Sequence, residues 1–315
     1  MQTKINLNRC AGRDSFCVVV CVWAVLLISP AVQAQNLFVA GVGTGPYNSS
    51  GLITEITPGG TKSTFAAGLT PPFGMAFDNA GNLFVSEYNS QNGAGYIVEY
   101  TSGTWHVFAS MFSRPQGLAF DSAGYLFEAD TDGNIYSFAA SGVRNTFATG
   151  VNATVLAFNN SGDLYAADNS GNIYNVTQGK SIFASGLAYP SALAFNSAGD
   201  LFATAGANAG VIYKFTPDGV RSTFASGLSY SYGLAFNNSG DLFATDNGSH
   251  NIYEFTPDGV QITFASGLAY SYGMAFQTVP ESSALSLISI GITALVACRR
   301  QLAGYVAASC HYLDA

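Results

Sequence analysis

The sequence predicts an all-β chain folded as a six-bladed β-propeller, each blade a four-stranded antiparallel sheet. Three observations lead there. A block of sequence repeats six times, its TFASGL-type phenylalanines (Phe65, Phe108, Phe147, Phe183, Phe224 and Phe264) returning at intervals of 36 to 43 residues, the period of propeller blades and solenoid repeats. Each block holds four short phrases of β-branched, aromatic and leucine residues bounded by Gly, Asn, Asp or Pro, which is strand chemistry. The repeats begin in mid-block, at NLFVAG, and end on an unaccompanied GMAF (Gly273 to Phe276). The last strand is therefore expected to be the innermost strand of the blade that the N-terminus opens, closing the ring and removing open sheet edges.

Within a block the strands follow in a fixed order. The GLAF phrase ends in Phe77, Phe120, Phe158, Phe195, Phe236 and Phe276. The GDLF phrase starts at Leu37, Leu83, Leu126, Leu164, Leu201 and Leu242. The IYEF phrase carries Ile53, Ile97, Ile135, Ile173, Ile212 and Ile252, and the TFAS phrase comes last. No stretch of 3.6-residue periodicity interrupts them. The links are turn chemistry: Asp218-Gly219 and Asp258-Gly259 join the third and fourth strands, and NNSGD or NSAGD places Gly where positive φ is needed before the second. An open solenoid would show atypical capping repeats at its ends, and the sequence has none.

The two ends read as processing segments. Residues 1–34 carry a basic start (Lys4, Arg9, Arg13), an apolar run from Phe16 to Ser29, and the small-residue cleavage pattern Val32-Gln33-Ala34. This is the pattern of a secretory signal peptide; a retained membrane anchor is the alternative. All five cysteines lie outside the repeats, at 10, 17, 21, 298 and 310. That excludes a thiol nucleophile or cysteine-ligated metal from the repeat region, residues 35–277. The same region has 16 Asp or Glu against 6 Lys or Arg. Such a balance argues against nucleic acid or anionic membranes as partners, and suits neutral glycans, cations or cationic proteins.

The segment YGLAFNNSGDLFATDNGSHNIYEFTPDG resembles an NHL-type repeat, and the wider group includes the senescence-marker/gluconolactonase family and the streptogramin lyases. The resemblance covers residues 35–277 and implies a six-bladed propeller. Its matching residues are core and turn positions, so it speaks to fold more than to function. Residues 278–300 (Val279-Pro280-Glu281-Ser282-Ser283, an apolar run from Ala284 to Cys298, then Arg299-Arg300) resemble a PEP-CTERM sorting signal, differing at Ser282 and in the further tail 301–315. The resemblance implies a bacterial, exported protein handled by an exosortase-like enzyme at the membrane; a plain C-terminal anchor is the alternative.

Two residue classes are expected on the face shared by the fourth-to-first and second-to-third strand loops. The first is acidic: Glu87, Asp130, Asp168 and Asp246 end second strands, and Asp130, Asp132 and Asn134 alternate as oxygen ligands do in a calcium loop. These acids are candidates for Ca2+ or another divalent cation, or else cap their hairpins as Asx residues do. The second is aromatic: Phe73, Tyr189, Tyr230, Tyr232, Tyr270 and Tyr272 precede inner strands, where rings either stack on sugars or pack between blades. Tyrosines preceding Ser are expected to be the more exposed. The gluconolactonase-like family implies a Glu, an Asn and an Asp around a divalent metal. Only the Asp has a counterpart, at Asp168 or Asp246, with Gln116 beside Arg114 as a stand-in for the Asn. Streptogramin lyases imply a catalytic His, and the repeats hold only His106 and His250.

The reading is a non-catalytic, monomeric propeller outside the cytoplasm that recognises a glycan or protein partner through an acidic, tyrosine-rich face. A divalent-metal lactonase or hydrolase and a structural matrix or adhesion element are the alternatives.

Overall fold

The computed structural model describes residues 35–43, 50–101, 103–206, 210–268 and 270–277. The expected signal peptide, sorting segment and tail lie outside the described residues. The propeller is as anticipated: among the described residues there are twenty-four strands in six four-stranded antiparallel sheets and no helix.

From the channel outward, blade I consists of β24 (Ser271–Phe276), β1 (Leu37–Val42), β2 (Gly51–Ile56) and β3 (Lys62–Leu69). Blade II is β4 (Pro72–Phe77), β5 (Leu83–Asn89), β6 (Ala94–Thr101) and β7 (Thr104–Phe112). Blade III is β8 (Pro115–Phe120), β9 (Leu126–Asp130), β10 (Asn134–Phe138) and β11 (Arg144–Thr149). Blade IV is β12 (Ala153–Phe158), β13 (Leu164–Asp168), β14 (Ile173–Asn175) and β15 (Ser181–Ala184). Blade V is β16 (Ala192–Phe195), β17 (Leu201–Ala205), β18 (Gly210–Phe215) and β19 (Arg221–Leu228). Blade VI is β20 (Leu234–Phe236), β21 (Leu242–Asp246), β22 (Asn251–Phe255) and β23 (Gln261–Ser266). The ring closes in blade I, where Leu37 pairs with Phe276 and Val39 with Met274.

Three of the four repeated phrases are explained by one packing unit. The aromatic residue after each second-strand leucine (Phe38, Phe84, Phe127, Tyr165, Phe202 or Phe243) lies edge-on to two rings. One is the TFAS phenylalanine of its own blade, the other the GLAF phenylalanine of the next blade. Phe84, for example, has Phe108 at 5.1 Å and Phe120 at 5.0 Å. The sixth unit, Phe264–Phe243–Phe276, spans the closure. Edge-to-face pairs contribute about 0.5–1.5 kcal/mol each beyond burial, so the aromatic ladder joins the blades to one another. The fourth phrase supplies the isoleucines, all six fully buried within their blades. After each of them the pairing with the outer strand shifts register. Such bulges twist an outer strand away from flat edge pairing.

Turns follow their chemistry. Gly219, at φ +86°, donates to the Thr216 carbonyl at 2.8 Å in the β18–β19 hairpin.

Candidate functional site

The inner strands come so close around the axis that their backbones fix the composition. A Cβ on Gly74 would lie 2.2 Å from the Gln116 carbonyl oxygen, and one on Gly273 would lie 2.4 Å from that of Phe73. At these positions glycine is therefore a packing requirement, whereas blades IV and V carry Val155 and Ala192 at the same point of the phrase. Side-chain hydroxyls then latch neighbouring inner strands together. Ser86 Oγ accepts from Gly74 N at 2.8 Å and donates to the Gln116 carbonyl at 2.6 Å. Thr245 Oγ1 accepts from Tyr232 N and Gly233 N within blade VI, fixing the entry to β20, and Ser191 Oγ donates to the Ser231 carbonyl of the next blade at 2.7 Å. These contacts hold the residues one position before each glycine at the channel mouth.

There the channel opens into a cavity of about 600 Å3, within the usual size of small-ligand sites. Phe73, Arg114, Gln116, Tyr189, Tyr230, Tyr232 and Tyr272 all line it; Tyr270, the eighth predicted binding residue, does not, and instead meets the His250 ring edge-on at 5.9 Å. Three of the rings form a continuous arc across blades VI, I and II: Tyr232 to Tyr272 at 5.7 Å, and Tyr272 to Phe73 at 5.8 Å. The arc ends on Arg114, whose guanidinium carbon is 5.0 Å from the Phe73 ring centre and 5.6 Å from that of Tyr88. The packing expected of the aromatics is met by some of the rings, and the greater exposure expected of tyrosines before Ser by others. Tyr232 and Tyr272, which precede glycines, are half-buried and in mutual contact, whereas Tyr189, Tyr230 and Tyr270 are exposed. Burial pushes the phenol pKa of Tyr272 up, and the Tyr232 and Tyr270 phenols add to this while Arg114 opposes it. Burial does the same for Tyr232, so both stay protonated and able to donate.

Tyr189 and Tyr230 adopt left-handed backbone conformations, at φ +51° and +52°. A bulky L-residue is rarely found there, at a cost of roughly 1–2 kcal/mol. Two equivalent rim tyrosines share this conformation, a feature that sequence pattern does not signal.

None of the five predicted acids lines the cavity. Asp130 Oδ atoms accept from the backbone N–H groups of Ser113, Arg114 and Asp132. Asp132 accepts from Asn134 N and the Tyr136 hydroxyl. Asp168 takes Ser170 N, Asn172 N and the Tyr174 hydroxyl. Asp246 takes Gly248 N at 2.9 Å and Ser249 N at 3.1 Å. Glu87 is buried, one oxygen accepting from the Thr70 hydroxyl and the other unpartnered; burial raises its pKa. These oxygens mostly serve the turns of separate blades, and among the described residues no three His, Cys, Asp or Glu side chains converge on one point. A calcium ion takes six to eight oxygens, and the donor set present does not fit one. His106 pairs with Glu99 on the outer part of blade II, and His250 sits in a left-handed turn. Neither lines the cavity.

Sequence reasoning missed Glu128. It occupies the third position of β9, where the other second strands carry Val39, Val85, Ala166, Ala203 and Ala244. It is fully buried, with no hydrogen-bond partner for either oxygen. Desolvation pushes its pKa up to about 9, and the Asp130 and Asp132 charges add to that. The Gln116 amide opposes it from nearby without reaching hydrogen-bond geometry. Its break from a small apolar pattern was the available signal.

With the geometry established, its likenesses can be placed. No family model and no curated protein matches the sequence. Solved structures do. Virginiamycin B lyase from Staphylococcus aureus superposes with a TM-score of 0.53 at 13% identity, covering 75% of this chain and 89% of that one. A Bacteroides caccae protein of unknown function gives 0.57 at 13%, covering 78% and 100%. A putative gluconolactonase gives 0.54 at 17%, covering 76% and 96%. These likenesses establish a fold. The chain is a six-bladed propeller whose structural neighbours include proteins named as enzymes.

Proposed function

We propose that this is an exported, surface-associated recognition protein that holds a glycan ring in the mouth of its central channel without transforming it. The observation that carries this reading is the aromatic arc Tyr232–Tyr272–Phe73 on one wall of the cavity, with Tyr189 and Tyr230 at the rim and, among the described residues, no carboxylate or histidine in the lining. Aromatic faces offer apolar area to a sugar ring, and protonated phenols with the Gln116, Asn169 and Ser191 side chains offer hydrogen bonds to its hydroxyls. The export and sorting segments read from the sequence support a location outside the cytoplasm. Testing takes a glycan array on the wild-type chain and on Tyr232→Ala/Tyr272→Ala. The double variant should keep its unfolding temperature within a few degrees and lose binding. Undiminished glycan binding in that variant would sink the reading.

A second reading, a divalent-metal lactonase or hydrolase, is favoured by the enzyme names of two structural neighbours. It would rest on Asp168 or Asp246, whose oxygens here serve their own hairpins. Metal bound in stoichiometric amount, with lactone turnover lost in Asp168→Asn or Asp246→Asn, would establish it over the first.

A further inference from the structure

We propose that the ligand of the channel mouth is anionic: a carboxylated sugar (a uronate oligosaccharide) whose carboxylate is received by Arg114. This rests on the glycan-binding reading above and specifies the class of glycan. Among the described residues, Arg114 is the only charged side chain in the cavity lining. The other five Lys and Arg residues of the propeller are placed away from it, Lys62, Arg144, Lys180 and Arg221 on or beside outer strands and Lys214 on β18. In a protein whose formal net charge is −8, one cation stands where a ligand would enter and every nearby acid is withheld.

The local geometry presents that cation ready for use. Asp130 grips the backbone rather than the guanidinium, accepting from Ser113 N at 2.8 Å and Arg114 N at 2.9 Å. The guanidinium carbon lies over the Phe73 and Tyr88 rings, and among the described residues the guanidinium makes no hydrogen bond. Among the described residues Arg114 makes no ion pair; the two that exist are His106–Glu99 and Lys214–Asp200. A planar fork of N–H donors with no acidic partner matches a carboxylate in two-point contact. Phe73 contacts both Arg114 and Tyr272, so an oligosaccharide laid along the arc of rings extends toward the guanidinium.

The test is calorimetric titration of the full-length chain with galacturonate, glucuronate and mannuronate oligosaccharides, their methyl esters, and inorganic sulfate alone. At least one acidic oligosaccharide should bind about tenfold or more tighter than its ester. Arg114→Gln should weaken the acid about ten- to a hundredfold, the value of a charge-assisted hydrogen bond, and the ester by several-fold less, since its carbonyl accepts without a charge. Arg114→Lys, which keeps the charge and loses the fork, should fall between. Equal binding of acid and ester, or an acid affinity untouched in Arg114→Gln, overturns the proposal while glycan recognition stands. If no acidic oligosaccharide binds while other glycans bind on the array, this proposal falls and recognition stands; if nothing on the array binds, or binding ignores Tyr232→Ala/Tyr272→Ala, both fall. Arg114-dependent sulfate binding without any oligosaccharide binding would leave an anion site and overturn the sugar class.

Discussion

Replacing Asp246 by Asn and, separately, by Ala distinguishes a hairpin cap from a cation ligand. The carboxylate is buried, and its Oδ1 accepts from Gly248 N and Ser249 N in the turn after β21. Hydrogen bonds to a charged acceptor contribute about 1.5–3 kcal/mol each. The turn beyond is exposed, so water can recover part of that when the side chain is removed. Asp246→Ala should therefore cost about 2–4 kcal/mol, which in a domain of this size lowers the unfolding temperature by roughly 5–15 °C. Asn keeps an oxygen at the same place, so Asp246→Asn should cost less than about 1 kcal/mol. The assay is thermal unfolding of the wild type and both variants, in chelator and in millimolar calcium. A cap predicts the order wild type, Asn, Ala, with no response to calcium. A ligand predicts that calcium raises the wild-type midpoint by mass action and that both variants lose this rise. Asn as damaging as Ala, with a calcium response in the wild type alone, would refute the cap.

Two further outcomes follow from the packing. Phe243→Ala removes the middle ring of the unit that spans the ring closure, held at 4.9 Å from both Phe264 and Phe276; denaturant unfolding should show a loss of about 3–5 kcal/mol, against about 1 kcal/mol for Phe65→Ala on the half-exposed outer edge. Glu128→Gln should flatten the pH dependence of stability. With the folded-state pKa near 9 and the unfolded value near 4.5, the native state holds the extra proton between those limits, so wild-type stability falls as pH rises through that window; melting curves in the same window that run parallel for wild type and variant would count against a neutral buried Glu128.

Much of this molecule was legible because its repetition is structural. The GLAF, GDLF and TFAS phrases share a three-ring contact that occurs six times, and any sequence forming it six times must repeat the same aromatics at the same spacing. The closure of blade I was readable from where the repeats start and stop. The channel mouth was readable only as a set of loop ends: Phe73, Gln116, Tyr232 and Tyr272 were placed correctly, but not the contact of Tyr232 and Phe73 through Tyr272, which links residues about 160 apart in sequence. The acids stayed open between two readings. Asp130, Asp168 and Asp246 accept from turn N–H groups, and a recurring acid in a sequence looks the same whether it caps a turn or binds an ion. The left-handed tyrosines were invisible, since nothing in the residue type predicts that conformation.

The division between ring and site follows from one geometric step along each inner strand. The glycine position faces the neighbouring inner strand, and at Gly74 and Gly273 the adjacent backbone leaves no room for a Cβ. The residue just before it turns toward the channel and meets no such limit. Across the six blades that residue is Phe73, Gln116, Thr154, Ser191, Tyr232 and Tyr272, ranging from small hydroxyls to large rings with no cost to the aromatic ladder. Three large rings together with Arg114 make one wall, and small polar side chains make the other. A ring built six-fold thus carries an asymmetric channel mouth, because the neighbouring backbone demands glycine at Gly74 and Gly273 while the position before it is free to vary.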